Sequence, residues 1–145
     1  KQTVIDSSGL VGQVIEVSKQ YSRIMLITDL NSFVPVAVLR NNLRLMLQGM
    51  GMSEKLQLLH VNPTADIRVG DLLISSGLGE RFPAGYPVGL VEAIDYVEGR
   101  PFLDVTATPK SGLDRSQHLL LVFSENSASV AENRQDPFEV SGLAD

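Results

Sequence analysis

The residues of this chain most able to do chemistry are few and widely spread. His60, Asp71 and Ser76 occur in the chain order of one familiar hydrolytic triad. They span only 17 positions, whereas that constellation needs side chains brought from well-separated parts of a fold. Ser76-Gly77 also lacks the glycine-flanked setting of an activated nucleophile. His60 (LQLLHV) and His118 (QHLLLV) sit in or beside apolar runs, far apart and without nearby ligand pairs, which suits structural imidazoles better than a base or a metal site. Gly77-Leu78-Gly79 has the look of a phosphate cradle, but Pro83 and Pro87 preclude the helix such a cradle needs. The acidic pairs Asp66/Asp71 and Asp104/Asp114 fall in turns and on strand faces, where carboxylates are simply solvated. No catalytic residue, metal ligand or cofactor-binding residue is therefore expected.

What could position a function is the stretch Ser75 to Ile94, SSGLGERFPAGYPVGLVEAI. Its glycines permit left-handed backbone and its prolines fix φ, so it reads as a long loop with one intended path. Leu78, Arg81, Phe82, Pro83 and Tyr86 within it are the candidate residues, either as packing plugs or as anchors for a partner. Aromatics held by neighbouring prolines lose little entropy on binding.

The elements around that loop are β-strands. Leu10–Val17, Ile24–Thr28, Val34–Leu39, Leu43–Leu47, Leu56–Val61, Leu72–Ser75, Pro87–Ile94, Phe102–Thr108 and His118–Phe123 are short, rich in β-branched residues and separated by turn signals. Pro35 places its strand at an edge or a strand start, because proline cannot donate to a ladder. Helical periodicity is absent. An all-β chain of two small packed β-barrels is expected, since closure removes the edges that valine-rich strands would expose. The expected division is 1–8 as the end of a linker or coiled-coil region, 9–61 as the first barrel completed by 117–123, 62–116 as the second barrel, and 124–145 as an acidic disordered tail.

A shift of 77 positions places Val11, Gly12, Val14, Arg23 and Leu26 over Val88, Gly89, Val91, Arg100 and Leu103. That suggests two related β units in which Gly12 and Gly89 are equivalent.

Composition narrows the partners. The 145 residues carry a net charge of −5, and the acidity is concentrated after residue 123. No basic patch with interleaved aromatics exists, so nucleic acid is not expected as a partner. There is no cysteine, hence no disulfide. No apolar run approaches the ~20 residues needed to cross a bilayer, and the chain begins at Lys1, which reads as a soluble piece of a longer protein.

The segments GLVGQV (Gly9–Val14), DLNSFVPV (Asp29–Val36), IRVGDLLISSGLGERFPAGYPVG (Ile67–Gly89) and LLLVF (Leu119–Phe123) resemble the periplasmic domain of the rod-shape-determining MreC family. Family members usually carry glycine where this chain has Glu80. The resemblance implies two β-barrels in a chymotrypsin-like arrangement without a triad, on a single-pass inner-membrane protein facing the periplasm. It implies a non-enzymatic scaffold that self-associates, binds and activates a class B penicillin-binding transpeptidase, and works beside other elongation-complex membrane proteins such as MreD to maintain rod shape. The competing reading is a serine hydrolase with a degenerate two-barrel site.

Overall fold

A computed structural model describes residues 2–111 and the backbone of 120–123. Ten strands are present among these: β1 (Gln2–Ile5), β2 (Leu10–Val17), β3 (Ser22–Leu26), β4 (Phe33–Val38), β5 (Arg44–Gly49), β6 (Leu56–Val61), β7 (Leu72–Ser75), β8 (Pro87–Asp95), β9 (Leu103–Pro109) and β10 (Leu120–Phe123). All pairings are antiparallel. Strands β4-β5-β6-β9-β8-β7 close into a barrel, and β10-β1-β2-β3 form a four-stranded sheet.

The all-β expectation holds, but the expected division does not. Strands from 33–61 and from 72–109 join one barrel, so no boundary at 61/62 separates two barrels. The reason is pairing: β6 lies beside β9, with Leu56 opposite Ala107 and Leu58 opposite Val105, which stitches the two stretches into a single ladder. Residues 1–8 are not a linker end, because Thr3, Val4 and Ile5 supply β-branched residues and β1 sits between β10 and β2. Pro35 is in a strand flanked on both sides; its carbonyl accepts the Ser76 amide at 3.0 Å just past the end of β7, so its missing N–H removes only the donor of that terminal rung. Residues 117–119 and 124–145 lie outside the described residues.

Alternation places the core. In β9 Val105 and Ala107 point inward while Asp104 is exposed, as its period-2 sequence predicts. The barrel core is aliphatic, built on Val34, Val36, Val38, Leu47, Leu56, Val61, Leu73, Val88 and Val105, and Leu10 enters it from β2. A smaller cluster of Val4, Val11 and Val14 lies within the sheet, with Ile24 and Leu26 packed against it. At one end of the barrel Arg40 grips two carboxylates. Its Nε and Nη2 donate to Asp71 at 3.0 and 2.9 Å, and its Nη1 donates to Asp66 at 3.1 Å. Asp71 also accepts from the Arg68 amide at 2.8 Å, which clamps the tight turn leading into β7. The Arg40 hydrogen bonds hold both carboxyls below the ordinary aspartate range, and those to Asp71 first and Asp66 second raise the guanidinium above its usual value.

The internal similarity is real, and its register is sharper than the sequence match. Gly12 faces Val4 on β1 and Leu26 on β3, while Gly89 faces Leu73 on β7 and Pro109 on β9. In each unit the ladder slips between the glycine and the residue two before it: Val4↔Gly12 is followed by Ile5↔Leu10, and Leu73↔Gly89 by Ile74↔Pro87. A second slip occurs beyond Val14 in one unit and beyond Val91 in the other. The outer strands match as well, with Val4 opposite Leu121 and Leu73 opposite Val38. Gly12 to Gly89 is a step of 77 positions but Leu26 to Pro109 is one of 83, so the second hairpin carries six more residues. The expected matches of Arg23 with Arg100 and Leu26 with Leu103 therefore fail. The equivalent units also differ in setting, since only the second belongs to a closed barrel among the described residues.

Candidate functional site

Ser75, the last residue of β7, organises the loop that follows. It is buried, and it makes four hydrogen bonds to the far side of the loop. Its amide donates to the Tyr86 carbonyl at 2.9 Å and its hydroxyl donates to the Pro83 carbonyl at 2.6 Å. Its Oγ accepts from the Tyr86 amide at 2.9 Å and its carbonyl accepts from the Gly85 amide at 2.8 Å. One serine thus pins residues 76–86 at their base. The sequence carries no signal for this role, because Ser75 reads there only as a strand end.

Between those pins the backbone makes a tight left-handed passage. Gly77 and Gly79 have φ of 79° and 74°, and Glu80 has φ of 56°. A side-chain-bearing residue in that region is strained, which is a physical reason for glycine at the position of Glu80. The Glu80 amide closes the turn on the Gly77 carbonyl at 3.0 Å. The chain then drops Phe82 into the barrel core, where it is only 4 % exposed. Of the five residues singled out by sequence, Phe82 is thus a packing plug and not a displayed anchor. The prolines and glycines around it turn the ring inward so that it fills the barrel end beside the aliphatic core. Pro83 and Tyr86 are half-buried supports, while Leu78, 54 % exposed, and Arg81 face outward.

The loop also joins the two sheets. The buried Gln13 of β2 donates through Nε2 to the Arg81 carbonyl at 2.7 Å. At Gly9 a Cβ would lie 2.6 Å from the Pro87 carbonyl oxygen, so the β1–β2 turn sits directly on the start of β8. Asp6 shapes that turn by accepting the Ser8 and Gly9 amides at 2.7 and 2.9 Å. Nearby, a cleft of about 280 Å³ lies at the seam, lined among the described residues by Val11, Leu26, Ile27, Thr28, Glu54, Pro109 and Ser111.

Among the described residues, His60, Asp71 and Ser76 each have other partners. Asp71 is committed to Arg40 and Arg68, and Ser76 Oγ accepts from the Leu78 amide at 3.3 Å. His60 is exposed on a bulge of β6, with φ of 54° and its ring set edge-on to Phe102 at 5.0 Å. No group of three or more acidic or histidine side chains among the described residues could hold a metal ion. His118 and Asp114 lie outside those residues. No helix among them is long and apolar enough to cross a membrane.

Known proteins share this architecture. A family model described as "Rod shape-determining protein MreC, barrel core" matches residues 1–123. The cell shape-determining protein MreC of Escherichia coli is 42 % identical over 143 residues, covering 99 % of this chain and 38 % of that protein. The chain thus spans about two-fifths of that relative's length. The crystal structure of MreC from Pseudomonas aeruginosa is 51 % identical with a TM-score of 0.80, covering 84 % of this chain and 79 % of that one. A complex between penicillin-binding protein 2 (PBP2) and MreC from Helicobacter pylori shares the fold, with a TM-score of 0.64 at 23 % identity over 83 % of this chain and 76 % of that one.

Proposed function

We propose that this chain, which belongs to the MreC family of rod shape-determining proteins, acts without chemistry of its own. It is a scaffold that binds and activates a class B penicillin-binding transpeptidase and associates with copies of itself. The observation that carries this reading is the 76–86 loop. Its backbone is pinned by Ser75, its aromatic plug is buried, and Leu78 and Arg81 are presented on a rigid support, the arrangement expected of a docking face. A family member solved as a complex with PBP2 supports the choice of partner. In the cell the scaffold works in the periplasm as part of a single-pass inner-membrane protein, beside elongation-complex proteins such as MreD, and so maintains rod shape.

The same reading treats the four-stranded sheet as the larger part of a second barrel, in a chymotrypsin-like arrangement without a triad. The register equivalence of β10-β1-β2-β3 with β4-β7-β8-β9 supports it, because β5 and β6 close the barrel between β4 and β9. Two further strands would close the sheet between β3 and β10. Slow hydrogen exchange at the outward amides of β3 in a longer form of the protein would support closure; exchange at the rate of a free edge would refute it.

Calorimetric titration with the periplasmic part of the organism's own PBP2 tests the binding. Saturable binding that weakens about tenfold or more in Leu78→Ala/Arg81→Glu is the expected result. Binding unchanged by that pair removes the loop as the contact, and no binding at all removes the partner.

A further inference from the structure

The hairpins that end the two equivalent units differ in charge. The β2–β3 turn exposes Val17, Tyr21 and Lys19. Glu16 and Arg23 neutralise each other across it at 3.1 Å, which leaves Lys19 as its net charge of about +1. Ser18 orders the turn, its Oγ accepting the Gln20 and Tyr21 amides at 3.2 Å.

The longer β8–β9 hairpin exposes Tyr96, Val97 and Phe102, with Tyr96 65 % exposed. Arg100 pairs with Asp104 at 3.0 Å, which leaves Asp95 and Glu98 as a net charge of about −2. This tip is also ordered in advance. The Arg100 amide donates to the Val97 carbonyl at 3.0 Å, and Gly99, at φ of 91°, takes the left-handed position such a turn requires. His60, held in a left-handed bulge, braces the Phe102 ring from the side. The bulge of β6 that carries His60 thus sets an edge-on ring against the exposed Phe102 at the tip.

Two preorganised apolar tips of opposite charge on one molecule are complementary to each other on different copies. We propose that the acidic β8–β9 tip of one copy docks on the Lys19-bearing β2–β3 hairpin of the next. The proposal rests on the self-association in the reading above and names its contact. Made once between two copies the contact is heterologous and builds rows or rings; made reciprocally it closes a twofold pair, and the sizes seen in sedimentation distinguish the two.

Sedimentation velocity on this chain over a range of concentrations, at low and high salt, tests it. Wild type should associate with concentration, and less at high salt. Glu98→Lys and Lys19→Glu should each weaken association about tenfold or more, and the double exchange should restore most of it. Both sites are exposed turns, and unchanged thermal melts confirm that each variant is folded. A double variant as weak as the singles, or single variants that associate like wild type, overturns this contact while leaving self-association standing. A wild type that stays monomeric at every concentration overturns the self-association reading and this contact with it.

Discussion

β1-β2-β3 and β7-β8-β9 run through one ladder with the same two slips, yet their strands share little sequence beyond Val11-Gly12 and Val88-Gly89. Where they differ is in what joins the strands. β1 reaches β2 through the short turn at 6–9, which Asp6 caps, while β7 reaches β8 through the pinned loop at 76–86. Register is set by a glycine and its bulges, both internal to the strands, so loops can be lengthened without disturbing it. The second unit uses that freedom: its loop plugs the barrel, displays Leu78 and Arg81, and carries a longer hairpin. On the proposed reading, the common ladder serves folding and the individual loops serve contact.

That division has measurable consequences. The largest is at Phe82, which belongs to the longer loop but is buried in the core. Phe82→Ala should lower unfolding free energy by about 4 kcal/mol in urea titrations. A cost below about 1 kcal/mol would mean that the loop is not part of the folded core. The shared glycines come next. At Gly12 a Cβ would collide with the Met25 carbonyl, and at Gly89 one would lie 2.8 Å from the Thr108 carbonyl, in both units the residue before the ladder partner. Gly12→Ala should cost about 3 kcal/mol and Gly89→Ala about half that. If only one of the two substitutions is felt, the units are not equivalent.

The Arg40 clamp belongs to the second unit and holds the entrance to β7. Asp71→Ala should cost about 2 kcal/mol, because a buried carboxylate that accepts three hydrogen bonds is lost while Asp66 still holds Arg40. Both carboxyls are lowered in the folded state. Their stabilisation is therefore fully present above the ordinary aspartate pKa and is lost as pH falls below it through their folded values. Thermal melts from pH 7 to pH 2 should show wild type losing stability in that range, and the Asp71→Ala variant losing less. Equal losses in both would remove the clamp as the acid-sensitive element. The smallest effect is at Glu80, where glycine relieves left-handed backbone: Glu80→Gly should stabilise the chain by about 0.5 kcal/mol, read as a small rise in Tm.

Much of this was legible in the residues. β-branched runs between turn signals located the strands from β2 onward, and Val11-Gly12 with Val88-Gly89 pointed to the repeat. The order of strands in space was not legible, because β6 reaches β9 across more than 40 positions and side-chain alternation alone does not name a partner strand. The return strands were misaligned for a related reason: Arg23 and Arg100 match by type, but hairpin length is set by turn chemistry and not by a constant shift. In the loop, glycines and prolines announced a fixed path without saying which way Phe82 turns. Ser75 and Gln13, which pin the loop and tie it to the other sheet, are unremarkable in sequence because their roles arise only from backbone groups brought near by the fold.

Hydrogen exchange on this chain, free and with PBP2 bound, most directly tests the claim that the ladder folds and the loops make contact. New protection is expected at residues 76–86 around Leu78 and Arg81, with the shared strands β2 and β8 unchanged. Protection centred on those shared strands, with the loop exchanging as it does in the free chain, would contradict it.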